Sequence, residues 1–163
     1  TTGQAAFNGE YAGIRVFTGQ TGIEFTQGDM SVAIDFLDFN EGNAVQGTVS
    51  NRVAYASDGT PLVLGTSKYD ELVFLPELRF KVGPGVMASN GIIEGQLDSR
   101  ALNNDGALDI FENGKYYGIL SGTNVSELVG VFVIESFDTR FVDSEGNPCC
   151  VTVQETGGFI LYR

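Results

Sequence analysis

The stretch Glu112–Ser136, ENGKYYGILSGTNVSELVGVFVIES, narrows the choice of fold more than any other part of the chain. Asn113-Gly114 tolerates positive φ and reads as a tight turn. A strand rich in aromatic and β-branched residues follows, from Lys115 to Leu120. Ser121-Gly122-Thr123-Asn124 supplies turn chemistry, and a second strand runs from Leu128 to Ser136. Gly118 and Gly130 lie inside these strands. Glycine weakens a strand, so its presence there usually has a geometric reason such as a bend, a bulge or close backbone approach. Two strand-centred glycines flanking one turn predict a sheet that curls hard, as a small barrel requires.

The remainder of the chain agrees with a curled sheet. Further strands are expected at Glu10–Phe17, Met30–Leu37, Ala44–Tyr55, Glu71–Val82, Gly91–Ser99 and Gly158–Tyr162, after a lead-in over residues 1–9. On the second strand, Val32, Ile34 and Phe36 share one face. On the third, Val45, Gly47, Val49 and Val53 alternate against Gln46, Thr48, Ser50 and Arg52, the pattern of a half-buried strand. Asn40-Glu41-Gly42-Asn43 is a hairpin turn between them. Pro76 cannot donate a ladder hydrogen bond, so it predicts an edge or a bulge in the fourth. The segment Asn8–Ile14 echoes Asn113–Ile119 at N-G-x-Y-x-G-I, which reads as one turn-then-curl solution used twice. Helix signals are nearly absent. With 22 glycines, four prolines and twelve phenylalanines in 163 residues, the expected fold is all-β. It is a single eight-stranded antiparallel up-and-down β-barrel, lipocalin-like in shape, spanning 1–163.

Charge and hydropathy limit the partners. Nine basic against twenty-one acidic residues give −12, which repels phosphate backbones and anionic lipid, so no nucleic-acid partner is expected. No apolar run approaches the ~20 residues of a membrane helix, and the chain is read as not membrane-spanning. No signal peptide opens it at Thr1, which suggests a mature or trimmed form of an exported protein.

The absence of histidine removes Ser-His-Asp and Cys-His catalysis, the common zinc sites and His-ligated haem. A cation would need carboxylates and carbonyls. The best candidate is ALNNDGALDIFE, where Asn103, Asp105, Asp109 and Glu112 match ligand positions of a twelve-residue calcium loop. Against calcium, the first position is Ala101 and Asn-Gly rather than a helix follows Glu112. The competing reading is a polar inter-strand loop. Cys149 and Cys150 are adjacent, with Cα atoms ~3.8 Å apart, closer than in most disulfides. Two free thiols, a vicinal disulfide and a bond to another chain all remain open. No carboxylates pair in a glycosidase or protease context, and no enzymatic activity is expected. The strand Leu128–Ser136 is apolar on both faces. Leu128, Phe132 and Ile134 fill one, while Val129, Val131 and Val133 fill the other, where a barrel should meet water. That outer patch needs a cover: a protein partner, a second copy in a homodimer, or the long excursion Phe141–Thr156.

KYYGILSGTNVSELVGVF resembles the hairpin pattern of the transferrin-binding protein B family of bacterial surface lipoproteins. The matching positions are Gly114, Tyr116, Gly118, Leu120 and Gly122, then Glu127, Gly130 and Phe132. DMSVAIDFLDFNEGNAVQGTVSN is similar to that family's paired strands, and GGFILYR fits its closing strand. The resemblance implies an eight-stranded barrel on the bacterial outer surface or secreted, lipid-anchored in full-length forms. It also implies a binding protein, whose relatives take host proteins or haem through variable loops. The expected function is therefore a non-enzymatic exported barrel that presents loops or an apolar outer patch to a protein partner. The alternative is a carrier of haem or another small hydrophobic ligand at the barrel mouth.

Overall fold

A computed structural model describes residues 3–37, 44–65, 72–83, 86–103 and 105–163. Eight strands run in chain order: β1 (Gln4–Phe17), β2 (Glu24–Asp35), β3 (Val45–Tyr55), β4 (Leu78–Phe80), β5 (Ile92–Leu102), β6 (Leu108–Ser121), β7 (Glu127–Phe137) and β8 (Thr152–Tyr162). Each pairs antiparallel with the next, and β1 pairs with β8, so the sheet closes into an up-and-down barrel. Closure removes the sheet's free edges. The expected turn at Asn40–Asn43 lies outside the described residues.

Several expected boundaries move. Gln4–Gly9, expected in the lead-in, belong to β1. β1 begins at Gln4, opposite Asp35 of β2, and Phe7 is fully buried. β2 starts at Glu24, six residues earlier than its clearest alternation. β8 starts at Thr152, so the excursion after β7 is shorter than the sequence suggests. The fourth strand shrinks to Leu78–Phe80; upstream of it, Leu75 makes a single bridge to Arg52 of β3, and Leu72 bridges Leu64 within the connection. Pro76 accounts for the shortening, since it interrupts the ladder two residues before the strand begins.

Asn113-Gly114 is not a turn. It sits mid-strand in β6, with Asn113 opposite Asp98 and Gly114 opposite Ile134. The real β5–β6 turn lies a few residues earlier, where the Asn103 carboxamide accepts the N–H groups of Asp105 and Ala107. Gly114 is required for a different reason: a Cβ there would collide with the Val133 carbonyl, and one at Gly9 would come within 2.7 Å of the Ile160 carbonyl. The N-G-x-Y-x-G-I echo is thus a mid-strand device. In both copies the glycine lets a neighbouring strand press close, Tyr11 or Tyr116 turns inward, and Ile14 or Ile119 turns outward.

The glycine and phenylalanine content has a common cause. Inward glycines leave room for aromatic rings on the neighbouring strand. Gly157 lies opposite Phe132, Gly130 opposite Phe159 and Gly95 opposite Tyr116, and each ring occupies the space a Cβ would take. The interior is packed as a result. Tyr11 meets Phe132 with ring centroids 5.2 Å apart, and Phe80 stacks on Tyr116 at 3.8 Å. Phe7, Val32, Val49, Leu97 and Leu161 fill the space between them. A smaller cluster of Ala54, Leu64 and Leu75 extends the core beneath the β3–β4 connection.

Candidate interaction surface

The alternation expected for β3 breaks at Asn51. This residue adopts φ 51°, and the β2–β3 register slips by one there, so two residues of β3 oppose Gly28. A bulge with a left-handed residue reverses the facing of everything after it. Val53 therefore turns outward, and Arg52, expected on the outer face, turns inward and is fully buried.

Arg52 organises a charged cluster across the barrel. Its Nη1 donates to Glu112 Oε2 at 2.7 Å and to the Pro76 carbonyl at 2.8 Å. Its Nη2 donates to Glu112 Oε1 at 2.9 Å and Glu155 Oε2 at 3.0 Å, and Nε donates to the Tyr11 hydroxyl at 3.2 Å. All five guanidinium N–H groups are engaged. Ser99 donates to Glu112 at 2.5 Å and Thr26 to Glu155 at 2.9 Å. Burial opposes ionisation of both Arg52 and Glu112. Their mutual attraction and hydrogen bonds outweigh it, holding Arg52 well above and Glu112 below the ordinary value. Burial also pushes the Tyr11 hydroxyl well up.

A second group closes the same end. Glu24 accepts from Arg15 at 2.7 Å and from Arg140 at 2.6 Å, while Asp138 accepts from Arg140 at 2.7 Å. Both guanidinium groups lie over the Phe17 ring. Arg140 and Asp138 belong to the loop between β7 and β8, which this pairing ties down across the barrel end. Together the two groups form a plug whose described donors and acceptors face one another. Such an arrangement ties β1, β2, β3, β6 and β8 together inside the barrel.

The calcium candidate is dispersed by the same geometry. Glu112 points into the barrel, held by Arg52 and Ser99, whereas Asn103 and Asp105 shape an exposed turn. Asp109 accepts from the Asn103 amide at 3.0 Å. Glu112 is thus separated from the other three, and no group of three or more Asp, Glu or Cys side chains placed to hold a metal ion gathers among the described residues. Cys149 and Cys150 form a vicinal disulfide, with Cys150 at φ 74°.

The apolar patch holds its expected position. Leu128, Phe132 and Ile134 point inward, and Val129, Val131 and Val133 are 40%, 48% and 37% exposed. The excursion after β7 does not cover them, because its Arg140 and Asp138 engage the barrel end at Glu24 and Phe17. The patch also extends beyond what one strand could reveal. Across the ladders, Ile119, Val129 and Ile160 form one outward row; Tyr117, Val131, Gly158 and Ala12 form the next; Val133, Thr156, Ile14 and Phe25 form a third. An open groove of about 940 Å³ crosses this wall over Ala12, Gly28 and Gly158.

The wall turns polar on the strands that flank the apolar rows, where Gln27 lies opposite Ala12 and Glu94 opposite Tyr117. Outward positions of β2, β3 and β5 include Gln27, Asp29, Ser31, Gln46, Glu94 and Gln96. A barrel that crosses a bilayer needs a continuous apolar band, which these residues interrupt.

No family model matches the chain, and none of the curated proteins compared with it matches.

Proposed function

We propose that the chain is a non-enzymatic, exported binding barrel that presents its apolar outer wall to a protein partner. One observation carries this reading. The barrel packs apolar side chains inside and yet exposes contiguous apolar side chains on the outward faces of β6, β7, β8 and β1. Exposed apolar patches of this kind mark interaction surfaces. The fully engaged plug supports a non-enzymatic role, and the resemblance to transferrin-binding protein B-like barrels supports placement at a bacterial surface or outside the cell. The haem or small-ligand alternative has only the barrel mouth or the outer wall to use.

The test is affinity capture from the native surroundings with wild type, Val131→Lys and Gln96→Lys. Both substituted positions are outward, but only Val131 lies in the patch. The expected result is one protein retained by wild type and Gln96→Lys and lost by Val131→Lys. Retention of no protein, together with a coloured or apolar small molecule in the purified barrel, would replace this reading with the carrier. Turnover abolished by Glu155→Gln in a folded barrel would replace both.

A further inference from the structure

The groove on the outer wall has a chemical polarity that defines what fits it. Its floor is made of the smallest outward residues, with Gly158 of β8 directly opposite Ala12 of β1. Nothing comes closer to a Cβ position at Gly158 than the Gly130 carbonyl at 4.0 Å, so the floor is open rather than pressed by a neighbour. One bank of the groove begins apolar, at Val129 and Ile160, and continues along the same row into Glu10 and Asp29. Asn51, held outward by the β3 bulge, donates to Asp29 at 2.6 Å and fixes that carboxylate at the rim. The acidic end and the apolar floor thus belong to one continuous depression.

On the five strands that form the groove the charge is one-sided, and Lys115 of β6, opposite Val133, lies outside it. The outward positions of β7, β8, β1, β2 and β3 carry Glu127, Glu135, Glu10, Asp29 and Asp35, and no Lys or Arg. Face-to-face docking of a second copy would bring two such walls together. Like-charge juxtaposition across an interface costs several kcal/mol, and the overall charge of −12 adds to it. An anionic membrane is disfavoured for the same reason. What fits is a segment that fills the apolar floor and brings its own cations.

Resting on the protein-partner reading, we propose that this groove docks a protein segment bearing an apolar strip flanked by Lys or Arg. The apolar side chains lie over Gly158 and Ala12 between Val131 and Ile160, and the cations meet Glu10 and Asp29. Five strands at about 4.8 Å spacing give a seat about 20 Å long, enough for roughly six extended residues or four helical turns. Apolar burial supplies the affinity, and the carboxylates set orientation and on-rate.

The test uses a fluorescent 14-residue peptide of leucine with lysine at its ends, and a matched peptide with glutamate ends. Binding is read by anisotropy at physiological salt to wild type, Gly158→Leu, the pair Glu10→Lys with Asp29→Lys, and Glu94→Lys on β5, outside the groove. Gly158→Leu fills the floor without a change of charge. Circular dichroism confirms that each variant folds. The expected outcome is binding of the lysine peptide to wild type and Glu94→Lys within about twofold. Gly158→Leu should weaken it at least tenfold, and the double reversal should transfer preference to the glutamate peptide. Equal binding to Gly158→Leu, or equal weakening by Glu94→Lys, overturns the groove as the seat and shows diffuse charge attraction. A wild-type dimer in sedimentation that Gly158→Leu makes monomeric overturns the proposal in favour of a second copy. A captured native partner that is lost with Val131→Lys but kept with Gly158→Leu overturns the groove alone, whereas capture of no protein removes the partner reading itself.

Discussion

Arg52 of β3 and Glu112 of β6, sixty residues apart, meet inside the barrel as a two-pronged pair, with Nη1–Oε2 at 2.7 Å and Nη2–Oε1 at 2.9 Å. Neither residue is exposed to water, so each depends on the other for its solvation. Removing one partner of such a pair costs more than the pair itself contributes, because a buried charge is left alone.

Arg52→Met is therefore expected to lower the unfolding free energy by about 3–5 kcal/mol. Adding Glu112→Gln and Glu155→Gln to the same chain should recover a good part of that loss. Urea titration of the wild type and the two variants measures it. A loss under about 1 kcal/mol for the single variant would mean that the network contributes nothing to the folded state.

The pH dependence is carried by the two depressed carboxylates that are buried, Glu112 and Asp138. Burial favours the neutral form of Glu112, but Arg52 and the hydrogen bonds outweigh it and hold its pKa below the ordinary 4.5. Burial of Asp138 is likewise outweighed by Arg140, which holds it below 3.8. A carboxylate with a lowered folded pKa stabilises fully above its unfolded value and loses that contribution as pH falls through the folded value. Thermal stability should accordingly be level near neutrality and decline below about pH 4.5. Asp138→Asn should make the decline shallower in melts from pH 3 to 7. A melting temperature that rises on acidification would contradict both assignments.

Two neighbouring glycines should respond in opposite ways. A Cβ at Gly130 would press on the Phe159 ring and the Tyr117 carbonyl, while one at Gly158 meets only the Gly130 carbonyl at an ordinary contact distance of 4.0 Å. Gly130→Ala is expected to cost about 1–3 kcal/mol by overpacking. Gly158→Ala should stay within about 0.5 kcal/mol of wild type. Equal effects in denaturant titration would refute the ring-over-glycine packing of the interior.

Tyr116 stacks on Phe80, and its buried hydroxyl meets no hydrogen-bonding group among the described residues. Burial pushes its pKa up to about 12. Tyr116→Phe keeps the ring and removes an unsatisfied polar atom. It should leave stability unchanged or raise it by about 1 kcal/mol. A loss of more than that would show that the hydroxyl has a partner, and a water found on it in a crystal structure would identify one.

The outer apolar strip was legible because it lies within a single strand. In β7, Val129, Val131 and Val133 alternate with Leu128, Phe132 and Ile134 without interruption, so the pattern shows both faces as apolar wherever the strand is placed. The plug was not legible. Arg52 appeared on the outer face because a period of two was carried past Asn51, and Glu112 appeared to be a loop ligand because Asn113-Gly114 has turn chemistry. A hint of the first error was present in the sequence. Asparagine inside a strand tolerates the left-handed conformation of a bulge, and a shift by one places Val49, Arg52 and Ala54 on the same side.

The sequence by itself determined the class of fold, the number of strands and which residues of β7 face out, since these depend on local alternation and turn chemistry. Only the tertiary structure decided where Arg52 points, what Glu112 does and how the outward residues of β7, β8 and β1 merge into one groove. The physical reason is register. Whether residues 52, 112 and 155 meet depends on a one-residue slip at Asn51 and on strand pairings that close over long sequence separations. The glycine-centred hairpin of β6 and β7 builds the wall, and the partners it gains by closure give that wall its surface.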